Sequence, residues 1–273
     1  MSHGRNSSRD GPPASLQGAP FMKIEFSGQT VLVTGAASGF GLEIAAAFSE
    51  RGATVYACDL AEEKLKETQK QIGEAGKSSI VDVTRRDEVE KWVQAAWSDT
   101  GRIDVLVNNA GGVLGQVGKP VEVVSVLEWE AIVAVNQNAV FWTSQAVSPA
   151  MKDARSGRII NISSGAGLGI SKTGIQAYAS AKAGQIGLTR QLAHELGPWG
   201  VTVNSVAPGF VLSNSSTERQ WEALGSDGQK RLLDEIALGH LGSPSDIAHT
   251  VLFLASKQAG WISGIVLPVD GGK

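Results

Sequence analysis

The segment Thr30–Gly41, TVLVTGAASGFG, constrains the fold more than any other stretch of the chain. Five residues of strand character run directly into a turn holding Gly35, Gly39 and Gly41, and an amphipathic helical pattern begins near Leu42. A strand, a glycine turn and a helix in that order open a parallel β-α-β unit. Glycines let the backbone turn sharply. They also let a phosphate approach the N–H groups of a helix N-terminus, where the dipole adds roughly half a positive charge. The spacing is G-x-x-x-G-x-G, and a simple tight turn explains such a trio about half the time. Its place between strand and helix favours a nucleotide cradle.

Beyond it, short β-branched runs alternate with stretches of helical spacing. The runs are Thr30–Thr34, Thr54–Asp59, Ser79–Val83, Val105–Asn108, Arg158–Ile162, Val201–Val206 and Ile265–Val269. Helical spacing marks Leu42–Arg51, Ala61–Ile72, Glu88–Trp97 and Trp129–Met151. Continuous Val/Ile strands suit a sheet buried on both faces, and their alternation with helices predicts parallel strands joined by right-handed crossovers. The expected fold is α/β: a single doubly wound, Rossmann-type domain over 27–273 with a mostly parallel, seven-stranded sheet flanked by helices. Residues 1–26, rich in Ser, Gly, Pro and Arg, read as a flexible tail.

A formal charge of −3 argues against nucleic acid, whose binders carry a basic excess. One cysteine, Cys58, fits a reducing cytoplasm. No apolar run approaches the roughly 20 residues of a membrane span, so no membrane partner is expected. His194, His240 and His249 have no companions at metal-ligand spacing, and no metal is expected.

Two further features carry chemistry. Asp59 ends the second strand about 20 residues past the glycines, where an acid hydrogen-bonds ribose hydroxyls and repels a 2′-phosphate. The neighbouring Ser38 and Leu60 supply no positive charge for such a phosphate, so the expected cofactor is NAD. Tyr178 and Lys182 stand four residues apart, one turn along a helix face. A phenol is a poor base at neutral pH; lowering its pKa by about three units takes roughly 4 kcal/mol, which a nearby ammonium and a nicotinamide cation could supply.

In this order the pieces resemble the short-chain dehydrogenase/reductase family. They are TGAASGFG at Thr34–Gly41, Asp82-Val83, NNAG at Asn108–Gly111, Asn136, NISS at Asn161–Ser164, YASAK at Tyr178–Lys182, NSVAPGFV at Asn204–Val211 and VDGG at Val269–Gly272. The similarity covers Gln29 to Gly272. It implies that Tyr178 is the general acid/base and that Lys182 holds the ribose and lowers the Tyr178 pKa. It implies that Ser164 hydrogen-bonds the substrate oxygen and that Asn136 anchors a water relay to Lys182. The expected cofactor surface is Gly35, Ser38, Gly39, Phe40 and Gly41 at the pyrophosphate turn, with Asp59 and Leu60 at the ribose. The resemblance implies Asp82 and Val83 at the adenine, Asn109, Ala110 and Gly111 on the adenosine side, and Pro208, Gly209, Val211 and Ser213 along the nicotinamide. Phe40 is read as packing, with no chemical role. The resemblance also implies a homotetramer, with Trp129–Met151 and Gln176–Leu196 as interface candidates.

The gap from Ser164 to Tyr178 is one residue longer than the family's commonest spacing, which leaves Ser163 as a rival to Ser164. The stretch 212–241 reads as a polar helical lid hinged near Gly225. Asn214, Glu218, Arg219 and Trp221 on it, with Lys172 and Gln176 beside Tyr178, suggest a small polar substrate, and the expected function is NAD-dependent oxidation of a secondary hydroxyl on a sugar or sugar acid. The alternatives are a 3-oxoacyl thioester reductase of the same family and a non-catalytic NAD-binding regulator.

Overall fold

The computed structural model describes residues 23–273 and contains one seven-stranded sheet, every pairing parallel, in the order β3-β2-β1-β4-β5-β6-β7. The strands are β1 (Thr30–Thr34), β2 (Thr54–Asp59), β3 (Lys77–Ile80), β4 (Val105–Asn108), β5 (Gly157–Ile162), β6 (Val201–Pro208) and β7 (Val266–Val269). Helices α1 (Gly39–Ser49), α2 (Glu62–Ile72) and α3 (Arg86–Thr100) connect the first four strands. Then come α4 (Val126–Val133), α5 (Ala139–Ala154), α6 (Gln176–Leu196), α7 (Ser215–Ala223), α8 (Gly225–Asp234) and α9 (Pro244–Ala255). The doubly wound α/β domain expected from the alternation is the fold observed.

Two apolar layers clamp the sheet. On one face Val31, Val33, Ile160 and Val206 meet α1 and α9 through Ile44, Phe48, Val251 and Leu252. On the other, Leu32, Leu106, Ile159 and Val203 meet α3, α5 and α6 through Trp92, Val147, Met151 and Leu192. Each large aliphatic side chain so buried contributes about 1.5–3 kcal/mol. Among the described residues no helix is long and apolar enough to cross a membrane.

Three boundaries differ from the sequence expectation. Phe26, assigned to the tail, is fully buried edge-on against Phe48 with ring centroids 4.6 Å apart, so the packed domain reaches back past it; residues 1–22 of the expected tail lie outside the described residues. β3 pairs over Lys77–Ile80 instead of Ser79–Val83, because Asp82 turns the chain by accepting from the Thr84 N–H and hydroxyl at 2.9 and 2.7 Å. The helix placed over Trp129–Met151 runs from Val126 to Ala154 and is interrupted by a π-helical turn, Ala134–Asn138.

Candidate active site

The strand order reverses between β1 and β4, so the loops leaving their C-terminal ends part and open a cleft. The glycine turn forms one wall. A Cβ on Gly41 would lie 2.2 Å from the Gly35 carbonyl oxygen and 2.5 Å from Asn109 Nδ2, and Gly35 itself has φ +65°. Asn109 Nδ2 donates to the carbonyls of Thr34 and Gly35 at 3.1 and 2.9 Å. The Thr34 hydroxyl accepts from the N–H groups of Asn109 and Ala110, both at 3.0 Å. Ser38 occupies the α1 N-cap without a side-chain hydrogen bond, and the first turn of α1 holds no acid, which leaves that turn's donors for an anion. Phe40 packs against the apolar layer below.

Asp59 stands at the tip of β2. Its Oδ2 accepts from Ala37 N–H at 3.1 Å and its Oδ1 from Ala61 N–H at 3.0 Å, so one carboxylate ties the glycine turn to the start of α2. Leu60 beside it is 63% exposed. Val83 is buried under the Asp82 turn. Across the cleft, the Ser213 carbonyl oxygen lies 2.9 Å from where a Gly39 Cβ would be, so Ser213 meets the glycine turn, while Pro208 and Gly209, at the end of β6, and Val211 lead up to it. A wall with no room for side chains, an uncapped helix N-terminus and an acid at the next strand tip fit a dinucleotide.

At the centre lie the side chains of α6. Lys182 is buried, and its Nζ donates to the Ile162 carbonyl at 2.8 Å and sits 5.8 Å from the Tyr178 ring centre. Burial pulls the Lys182 ammonium down to about 7. Tyr178 is half-buried; desolvation pushes its phenol above the usual value, and the Ser164 hydroxyl works against that rise. The lowering of the Tyr178 pKa expected from Lys182 is therefore not a property of the protein side chains alone: desolvation raises the phenol, and the group that opposes the rise is the Ser164 hydroxyl. The two serines have separate tasks. Ser163 is buried and donates to the Lys182 carbonyl at 3.0 Å, whereas Ser164 faces Tyr178 and accepts from Ala166 N–H at 3.1 Å.

Asn136 sits in the π-turn, fully buried. Its Nδ2 donates to the carbonyls of Gly112 and Ile132 at 2.8 and 2.9 Å, and its Oδ1 accepts from Gly112 N–H at 2.9 Å. Beneath this centre, Asn108 and Asn161, in the sequence only members of motifs, join Thr189 in a set of buried polar contacts that the sequence did not show. Asn108 Nδ2 donates to Asn161 Oδ1 at 2.9 Å, and Asn161 Nδ2 donates to the Thr189 hydroxyl at 2.9 Å. The Thr189 hydroxyl in turn donates to the Gln185 carbonyl at 2.8 Å. The available signal was a polar residue inside each apolar strand, since Asn108 and Asn161 are register partners.

The side chains suggested for substrate contact are engaged elsewhere. Lys172 pairs with Glu235, which also receives Lys273 at 3.4 Å. Gln176 donates to the Lys119 carbonyl at 2.8 Å. Asn214 caps α7 by accepting from Ser216 and Thr217 N–H, and Trp221 packs 6.2 Å from Phe210. Glu218 and Arg219 project from the exposed face of α7. The loops bordering the cleft instead expose Leu114, Val117, Leu168 and Leu212, with Ile170 wholly in solvent. Beside Gln176, a recess of about 270 Å³ is lined by Val121, Val124, Val126 and Trp129.

Comparison with known proteins agrees with this geometry. The family model described as short chain dehydrogenase matches residues 29–223. The chain is 39% identical over 248 residues to a (2S)-((R)-hydroxy(phenyl)methyl)succinyl-CoA dehydrogenase subunit of Thauera aromatica, covering 90% of this chain and 96% of that one. It is 38% identical over 256 residues to a 3-oxoacyl-(acyl-carrier-protein) reductase of Thermotoga maritima, covering 92% and 99%. The crystal structure of levodione reductase superposes with a TM-score of 0.84 at 29% identity over 91% of this chain and 98% of that one. The chain belongs to the short-chain dehydrogenase/reductase family.

Proposed function

We propose that this short-chain dehydrogenase interconverts a secondary alcohol and a ketone with NAD, and that its substrate is a 3-hydroxyacyl or 3-oxoacyl thioester with an apolar chain. The observation that carries the reaction is the convergence of Tyr178, Lys182 and Ser164 beside the glycine turn. A bound nicotinamide supplies the hydride acceptor or donor. In oxidation, Tyr178 Oη takes the proton of the substrate hydroxyl while Ser164 Oγ donates to the same oxygen and steadies its charge. Lys182 Nζ, directed by the Ile162 carbonyl, holds the ribose and favours the phenolate. Asn136 holds the Gly112 backbone beside them and anchors the relay that returns the proton to solvent. In reduction the same groups work backwards.

Asp59 supports NAD over NADP, since a carboxylate at that strand tip repels a 2′-phosphate. For the substrate, the internal partners of Lys172, Gln176 and Asn214 move the weight from a sugar to the thioester. The exposed Leu114, Leu168, Ile170 and Leu212 around the cleft support an apolar chain. The names of the two curated relatives support an acyl thioester. Exposed Trp129 and Phe141 on the α4–α5 stretch support the homotetramer the family resemblance implies.

The test is NADH formation by the purified protein against 3-hydroxyacyl-CoA thioesters, sugars, sugar acids and simple secondary alcohols, with NADP in parallel and Tyr178→Phe alongside. Turnover with NAD on the thioesters is expected, reduced about 10³-fold or more in Tyr178→Phe with NAD binding retained. Activity only with NADP overturns the role of Asp59, and turnover only on sugars overturns the substrate class. An active Tyr178→Phe overturns the mechanism.

A further inference from the structure

Gln185 lies in α6, three residues past Lys182, and is fully buried. Its Nε2 donates to the main-chain carbonyl of Asn136, in the middle of the π-turn. Its Oε1 is buried without a hydrogen-bond partner among the described residues. A half-satisfied buried amide weakens a core that Leu or Met would fill equally well. Packing alone does not explain this residue, and an apolar side chain here would leave the buried Asn136 carbonyl without this donor.

Its contacts lead back to the reacting groups. A π-turn widens the helix and disturbs its regular ladder, so an outside donor on Asn136 holds that peptide in place. The Asn136 side chain then brackets Gly112 from both sides. Next along the chain, the point where a Gly111 Cβ would lie is 2.6 Å from Asn136 Oδ1 and 3.4 Å from Lys182 Nζ. Gln185, Asn136, the Gly111–Gly112 backbone and Lys182 thus close a ring between α6 and the π-turn.

We infer that Gln185 is a positioning residue for the proposed proton transfer: by holding the Asn136 peptide it fixes the wall against which the Lys182 ammonium is set beneath Tyr178. This rests on the role proposed for Tyr178. Lys182 Nζ lies 5.8 Å from the Tyr178 ring centre. The Lys119 and Glu128 pair flanks the first turn of α6, and Arg190, His194 and Glu195 lie at its far end.

The chain has two tyrosines, and burial with the Asp99 carboxylate pushes Tyr56 up to about 12. Replacing Tyr56 by Phe leaves Tyr178 as the chain's one phenol, so in that parent, in which the variants are made, phenolate absorbance reports Tyr178. The experiment titrates this absorbance in the full-length protein, alone and with saturating NAD, for the parent, Gln185→Met and Gln185→Leu, after measuring each melting temperature. The expected result is a variant that still folds, with Tyr178 titrating about one pH unit higher in the NAD complex, tenfold less phenolate at a given pH. On a 3-hydroxyacyl-CoA probe, kcat falls about tenfold while both KM values hold. An unmoved Tyr178 titration in a folded variant overturns the inference, and so does loss of the fold in both variants, which would make Gln185 a packing residue. Tyr178→Phe separates the two readings: if it stays active, the mechanism fails whatever Gln185 does.

Discussion

Around the glycine turn, backbone packs on backbone, whereas the opposite bank of the cleft presents side chains to solvent. At Gly35 and Gly41 neighbouring main-chain atoms stand where a Cβ would go, and the Asn109 amide and Asp59 carboxylate bind the turn to β4 and α2. On the facing bank, Leu168 and Ile170 stand exposed, and Lys172, Glu235 and Lys273 form an ion cluster at the surface. Surface pairs of this kind contribute about 0–1 kcal/mol each. The first bank tolerates almost no change in shape; the second can change its lining without disturbing the sheet. The contrast teaches that a bank fixed by backbone contacts and a bank free to change its side chains can share one set of strands.

The largest effect that would break this contrast is on the glycine bank. Gly41→Ala drives a methyl into the Gly35 carbonyl, and a loss of about 3 kcal/mol or more in denaturant unfolding is expected, with NAD binding lost. A change below 0.5 kcal/mol would show that the turn yields. An intermediate effect tests the seam between the banks. Burial lowers the Lys182 pKa in the folded chain to about 7, so the penalty for keeping it is full below that pH and disappears as pH rises through the unfolded value near 10.4. Lys182→Met should therefore stabilise the protein by about 1–3 kcal/mol at pH 7, less as pH rises toward 10, while abolishing turnover. Destabilisation at pH 7 would mean that the bond to the Ile162 carbonyl outweighs burial. The smallest effect belongs to the loop bank: Ile170→Ser leaves unfolding within about 0.5 kcal/mol and raises KM for a medium-chain thioester about tenfold. An unchanged KM would remove Ile170 from the substrate surface.

Periodicity made the sheet legible. Six of the strands match their β-branched runs closely; five of these lie inside the sheet, where a strand covered on both faces needs continuous apolar character, and the sixth is the apolar edge strand β7. β3 begins two residues and ends three residues earlier than expected because KSSI is a polar strand whose end is set by the Asp82 turn and not by hydrophobicity. The positions of Tyr178 and Lys182 on one helix face followed from their four-residue spacing. What the spacing could not supply was a choice between Ser163 and Ser164, which rests on which hydroxyl faces α6's backbone and which faces Tyr178.

The polar reading of the lid shows the same limit from the other side. Lys172 and Gln176 look available for a ligand in a linear string, because a string does not show that Glu235 and the Lys119 carbonyl lie within reach, whereas the Asn214 cap on α7 is a local contact that the sequence held. The sequence by itself determined the α/β class, the strand–glycine–helix opening and the family, since these depend on local sterics and on residue periods of two and 3.6. Only the tertiary structure decided the π-turn at Asn136, the Gln185 contact and the distant partners of Lys172 and Gln176. Those depend on which groups separated by tens of residues compete for the same hydrogen bonds, and burial settles that competition by leaving no water to take the loser's place.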